Sequence, residues 1–251
     1  MSDNNDTKDI CVVLTVYKRN HIKDQLHLIR EQTVQPKYIV VFQNGNHVDI
    51  EPLKKHFNFI HVKSDFNTKF FGRFSYCLNI PADIFLIFDD DMFPAKKCIQ
   101  TYVTQCIKLN AIIGGNGRYG HLNKYSPNND LQSPNNYTLK PFCDAGFRDN
   151  IQVDFVGHLW CFKKEWLYYM FSVPPLTYDT GEDMHLCFSS KLLGNIPAYI
   201  GKHTIKDEFS DVTNGYYSDD QFASFRKTPK EQRISIEQYW LDKGLKFIEK
   251  N

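Results

Sequence analysis

The sequence predicts an α/β protein, a mixed but mainly parallel sheet flanked by helices and folded as a single domain. Three observations carry that prediction. Continuous apolar, β-branched runs at 10–16 (ICVVLTV), 38–42 (YIVVF) and 84–88 (IFLIF) have the length and texture of strands covered on both faces. Helically spaced segments separate these runs, and strand–helix–strand alternation of this kind gives parallel strands joined by right-handed crossovers. No internal repeat and no linker divides the 251 residues.

The elements follow in order. Residues 1–9 (MSDNNDTKD) are polar and acidic, which excludes a signal peptide and reads as a flexible tail. After the first strand, Asn20 is placed to cap a helix whose Ile22, Leu26 and Ile29 share one stripe. The second strand stops at Gln43-Asn44-Gly45, a turn signal, and a short helix at 52–56 leads to a third strand at 59–62. The fourth strand runs directly into Asp89-Asp90-Asp91. Pro94, at a first-turn position, opens a helix carrying Ile99, Val103 and Cys106, and 111–113 begins another strand.

From 114 to 150 the chain is rich in Gly, Asn, Pro and Tyr without periodicity, the texture of a long functional loop. Order returns with 153–162, for which one reading is a core hairpin burying Phe162 and, in place of a stacking role, Trp160, and then a helix at 164–171. Thr180 is placed to cap the next helix, which ends at Gly194. A short strand at 198–200 precedes His203. The polar stretch 211–226 has the composition of a lid, and Thr228-Pro229-Lys230-Glu231 forms a capping box that opens a C-terminal helix carrying Ile234, Tyr239 and Leu241.

Composition narrows the function. Thirty basic residues face twenty-nine acidic ones, without the one-sided basic surface of a nucleic-acid binder. Seven scattered cysteines with no CxxC pair suit a reducing, cytoplasmic setting rather than a disulfide scaffold. No apolar run approaches the ~20 residues of an integral membrane segment.

Three adjacent carboxylates at the end of a buried strand repel one another, so a positive partner is expected there. Beyond the carboxyl ends of parallel strands is where an open sheet binds ligands, and hard oxygen donors suit Mg²⁺ or Mn²⁺ shared with phosphates. The alternative is a solvated acidic turn. A second acidic signal, Thr180-Gly181-Glu182-Asp183, opens a helix; it fits a catalytic pair or a capping box, since acids favour a helix N-terminus.

The segment ADIFLIFDDDM (82–92) resembles the DxD segment of GT-A glycosyltransferases, Rossmann-like enzymes that use nucleotide sugars. Thr15-Val16-Tyr17-Lys18-Arg19 is similar to the nucleotide-binding opening of that fold, and Glu182-Asp183 looks like its ED motif. The resemblance spans about residues 10–205 and leaves 114–150 and the C-terminal helix unassigned.

The resemblance implies that Asp91 binds a Mn²⁺ or Mg²⁺ ion bridging the donor phosphates, with His203 as a further ligand. Asp89 and Asp90 would contact the ribose, the sugar or metal-bound water. Thr15, Tyr17, Arg19, Gln43 and Asn44 would hold the nucleoside, and Arg73 would face a phosphate or the acidic cluster. Asp183 would be the general base, with Glu182 beside it and Asp154 in reserve. Gly157 and Trp160, within 153–167, would line the sugar site, and Lys206 would face the leaving diphosphate.

The implied partners are a nucleotide-sugar donor, UDP-sugar by the habit of the fold, and a carbohydrate or glycan acceptor. The implied reaction is an inverting transfer, with a retaining one as the alternative. A nucleotidyltransferase should carry a Gly-rich phosphate loop that TVYKRNH lacks, and a dehalogenase-type hydrolase should carry its Asp after the first strand. A non-catalytic sugar-nucleotide-binding protein would bind the donor without turnover.

Overall fold

The computed structural model describes residues 8–123, 138–139, 149–203, 208, 210–211 and 230–249, with 138–139 and 210–211 described by their backbone alone. Strands β1 (Ile10–Val16), β2 (Tyr38–Asn44), β3 (Ile60–Ser64) and β4 (Ile84–Phe88) form the parallel half of the sheet, in the order β3-β2-β1-β4. All of these pairings are parallel, and β4 is buried along its whole length. That is why IFLIF and ICVVLTV are continuous apolar runs rather than alternating ones.

The second half is mixed. Strand β9 (Phe155–Lys163) runs antiparallel between β4 and β6 (Ile112–Arg118), followed by β10 (Ala198–Ile200) parallel to β6 and β8 (Ile151–Val153) at the edge. The short β7 (Thr138–Leu139) pairs with β6, and β5 (Phe93–Pro94) pairs with β11 (Ser210–Asp211) in a small separate ladder. Helices α1 (Ile22–Arg30), α2 (Gly72–Cys77), α3 (Cys98–Leu109), α4 (Trp166–Ser172), α5 (Glu182–Gly194) and α6 (Lys230–Asp242) and a 3₁₀ turn at Glu51–Lys55 complete the described chain. The expected class, a mixed, mainly parallel sheet flanked by helices, is the one observed.

Several local expectations are corrected. Residues 112–118 are a strand, because Gly114, Gly115 and Gly117 let β6 pack against the side chains of β9 and β10; a Cβ at Gly114 would lie 2.1 Å from that of Val156. The irregular stretch therefore begins after Arg118, and 124–148 lies outside the described residues apart from β7. Strands β8 and β9 do not form a hairpin, since β8 pairs with β10. Pro94 sits in β5, and α3 starts only at Cys98. Asn20 and Thr180 cap nothing: His21 and Gly181 occupy those N-cap positions, neither with a side-chain cap bond. Beyond Gly194, the left-handed turn is taken by Asn195 at φ 53°.

Helix α6 buries Ile236, Glu237 and Trp240, not the stripe of Ile234, Tyr239 and Leu241. Asp9, read as part of a tail, is anchored, since its carbonyl accepts from the amides of Asp83 and Ile84. Residues 1–7, the capping-box residues Thr228 and Pro229, Lys206 and 212–229 lie outside the described residues. Cys11, Cys77, Cys98, Cys106, Cys161 and Cys187 are free and buried. No described helix is long and apolar enough to cross a membrane.

Candidate active site

The turn after β4 is pinned from three sides. Thr15 of β1 donates to the carbonyl of Phe88 at 3.0 Å, and the amide of Asp89 donates to His158 of β9 at 3.0 Å. From α1, the fully buried Gln25 donates to the carbonyls of Asp89 and Met92 at 2.9 and 2.8 Å. Three acidic side chains are thus held together despite their repulsion.

Two arginines meet them. Arg19 pairs with Asp90 at 2.5 Å and lies 3.6 Å from Asp91. Arg73, on α2, donates through Nη1 to Asp89 at 2.5 Å and to the Thr15 hydroxyl at 3.2 Å, and through Nη2 to Glu182 at 3.1 Å. Its guanidinium rests on the Trp160 ring, 4.6 Å from the centroid, so Arg73 meets the acidic cluster as a buried connector between two acidic groups.

Glu182 and Asp183 open α5 after Gly181, whose φ of 83° needs glycine; a Cβ there would also lie 2.5 Å from Ile236 of α6. Asp183 is held at both oxygens: Oδ1 accepts from the amide of Met184 and Oδ2 from Arg233 of α6, each at 2.8 Å. Arg118, at the end of β6, faces the same group; burial and then the Arg233 charge lower its pKa to about 10.

Electrostatics separate these neighbours. Burial, reinforced by Asp89 and Asp90 and only partly opposed by Arg19, raises Asp91 to about 7. Burial also raises Asp90 against the pull of Arg19. Glu182 rises to about 7 through burial and then the Asp183 charge, with Arg73 opposing. Burial pushes Asp183 upward too, but Arg233 and Arg118 outweigh it and hold the group below the usual carboxylate range. Adjacent carboxyls with opposed shifts are how one site keeps a charged group and a protonatable group together. Asp91, a hard oxygen donor whose negative surroundings outweigh its single cation, fits a divalent ion on chemical grounds.

The remaining candidates fall elsewhere. Trp160 is buried under Arg73 and donates its indole N–H to Val156 at 2.9 Å, so it presents no stacking face to a sugar. Gln43 bonds to the Val48 carbonyl and to His61, both at 2.8 Å. Asn44 accepts from the amide of Thr68 at 2.9 Å and donates to Asn67, whose amide reaches the Tyr17 hydroxyl at 3.2 Å. These two side chains therefore shape the loop behind Tyr17 and are buried themselves.

His203 is fully buried with its ring 5.3 Å from that of Tyr102, and burial lowers its pKa to about 4. Among the described residues no group of three or more His, Cys, Asp or Glu side chains is arranged to hold a metal, so His203 does not join Asp91 in one. Asp154 is no reserve base: it accepts from the amides of Gly120 and Ile248 and from Asn123, a structural staple. Gly157 packs beside Asn116, its partner across β6 and β9. The sequence reading missed Arg118, Arg233 and Gln25. For Arg233 the available signal was its spacing of four from Glu237, with Ile236 and Trp240 repeating the same interval.

No protein-family model and no curated protein matches the chain. Among solved structures, S. aureus TarS is similar at a TM-score of 0.54 and 13% identity, covering 93% of this chain and 43% of TarS. The TarS fragment 1–349 scores 0.49 at 13% identity, and 0.49 at 12% in complex with UDP, each covering 77% of this chain and 60% of the fragment. The chain thus spans less than half of full-length TarS, and at this identity the likeness shows a shared architecture. That architecture, a mixed and mainly parallel Rossmann-like sheet with flanking helices, is the GT-A fold.

Proposed function

We propose that this chain is a glycosyltransferase that moves a sugar from a nucleotide-diphosphate donor, UDP-sugar favoured, to a carbohydrate hydroxyl with inversion. The observation that carries the reading is Arg73, whose two terminal nitrogens join Asp89 after β4 to Glu182 at the head of α5. One guanidinium thereby holds the donor side and the acceptor side of a transfer site within a single side chain's reach.

In this reading Thr15, Tyr17 and Arg19 line the nucleotide, and Gln43 and Asn44 act indirectly by fixing the loop that carries Asn67. Asp91 would hold a Mn²⁺ or Mg²⁺ ion, which when bound supplies positive charge to the diphosphate. Asp183, kept ionised by Arg233 and Arg118, accepts the proton of the acceptor hydroxyl as its oxygen attacks the sugar C1 from the face opposite the departing diphosphate. Arg73 keeps Asp89 and Glu182 from moving apart as charge shifts towards the donor.

A second assignment of the base has its own support. Glu182 has one bonded oxygen where Asp183 has two, and its pKa of about 7 is better matched to proton transfer at neutral pH.

The test is nucleotide release from a panel of nucleotide sugars with Mn²⁺ present or chelated, with product stereochemistry read by NMR. Release that needs the ion and is lost in Asp91→Asn is the expected result. A protein that neither binds nor turns over any nucleotide sugar would sink the reading.

A further inference from the structure

Two polar side chains on β6 make no hydrogen bond to the described residues. Asn116 is fully buried, and among the described residues neither its Nδ2 nor its Oδ1 has a partner. Among the described residues the side chain of Arg118, two residues on, donates no hydrogen bond, and its buried Nε is unpartnered. Leaving a buried amide unbonded is destabilising, so an amide kept that way calls for a reason outside the fold.

Geometry supplies one. Residues two apart on a strand share a face, so Asn116 and Arg118 point to the same side of the sheet. Their partners on β9 are Gly157 and Phe155. A Cβ at Gly157 would stand 3.0 Å from the Asn116 Oδ1, so any other residue there would crowd the amide. Phe155, opposite Arg118 on β9, has its ring 5.6 Å from the Arg233 guanidinium that holds Asp183, which sets this face beside the candidate site, where the charges of Asp183, Asp89 and Glu182 also act on Arg118.

Charge decides the kind of ligand. Around this face the guanidiniums of Arg73, Arg118 and Arg233 stand against the carboxylates of Asp89, Glu182 and Asp183. The balance leaves no surplus for an anion. An amide presenting one acceptor and one donor pair, beside a guanidinium with spare N–H groups, matches neighbouring hydroxyls that each donate and accept.

We propose that Asn116 and Arg118, over the gap kept by Gly157, form a subsite that binds the hydroxyls of the transferred sugar and selects which sugar is accepted. The proposal rests on the glycosyltransferase reading above and adds to it the residues that discriminate between donors. A pocket that must bond a hydroxyl rejects analogues lacking it far more strongly than a merely apolar pocket does.

The experiment compares the affinities of UDP and of the best-bound UDP-sugar, by calorimetry with Mn²⁺, for the wild type, Asn116→Leu and Asn116→Ala. Leu keeps the volume and removes the polar atoms, while Ala guards against a packing clash. Each variant should bind UDP as the wild type does yet lose roughly 10-fold or more in UDP-sugar affinity, with a melting temperature unchanged or higher because no internal bond is broken. Arg118→Gln should alter the ranking of UDP-sugars differing at one hydroxyl.

Unchanged UDP-sugar affinity in both Asn116 variants would overturn the subsite while leaving the transferase reading intact. So would parallel losses of UDP binding and melting temperature, which would mark a structural role. A wild type that binds no nucleotide sugar would instead end the reading on which the subsite rests.

Discussion

Asp154 and Glu237 lie as deep in the molecule as Asp91 and Glu182, yet the two sets are bonded in different ways. Glu237 is fully buried and accepts from the amides of His121 and Leu122 and from the His121 ring, at 2.8 to 3.0 Å. Asp154 takes three donors, two of them backbone amides. Together they tie the segment after β6 to α6 and to the chain around Ile248. Among the described side chains, Asp91 is paired with an arginine 3.6 Å away and Glu182 with Arg73. Carboxylates satisfied by amides from distant segments hold the architecture; carboxylates met across the fold by a guanidinium are left with capacity for a ligand.

Mutation of Glu182, or of Asp183 beside it, should break function first. Asp183→Asn keeps the size of the side chain but accepts no proton, and turnover should fall by roughly 10²-fold or more with UDP affinity little changed. Glu182→Gln run alongside decides which of the two is the base, because only the true base loses turnover by that factor. The check is single-turnover kinetics with circular dichroism confirming the fold.

Mutation of the first set should break the fold. Glu237→Ala strands two backbone amides in the interior and should cost about 2–5 kcal/mol, against a smaller loss for Glu237→Gln, which keeps an acceptor. Urea denaturation measures the difference. Equal stability of Glu237→Ala and the wild type would erase the contrast drawn here.

The smallest effect is a pH dependence. Asp91 is raised in the folded state to about 7, so its contribution to stability is fully present below its unfolded value of 3.8 and is lost as pH rises through about 7. Asn cannot ionise. The melting temperature of Asp91→Asn, measured without metal, should therefore gain on the wild type as pH goes from about 4 to about 7, by a few degrees. A difference independent of pH would mean that Asp91 is not under this strain.

The parts of this molecule written in local pattern were legible. Apolar runs long enough to be read as strands gave the sheet, and carboxylates adjacent in sequence gave the two acidic groups of the site. What escaped depends on pairings between distant segments. Arg73 joins residues 16 and 109 positions away, and Arg233 reaches 50 positions back to Asp183. The glycines of β6 looked like loop, because a strand that needs close approach to its neighbours shares its composition with irregular chain. Trp160 read as a sugar platform because no pattern reveals that a guanidinium already occupies its face.

Helix α6 also sets a timetable. It is the last described helix, yet it supplies Arg233 to Asp183 and inserts Glu237 beneath the segment after β6. A chain emerging from the ribosome completes every strand of the main sheet before α6 is made, and domains fold in that direction during synthesis. Until α6 docks, Asp183 lacks the strongest of the counter-charges that oppose the upward push of burial. A chain cut before α6 would carry every strand of the main sheet but not Arg233, so the charge state of Asp183 depends on a helix made after the scaffold that surrounds it.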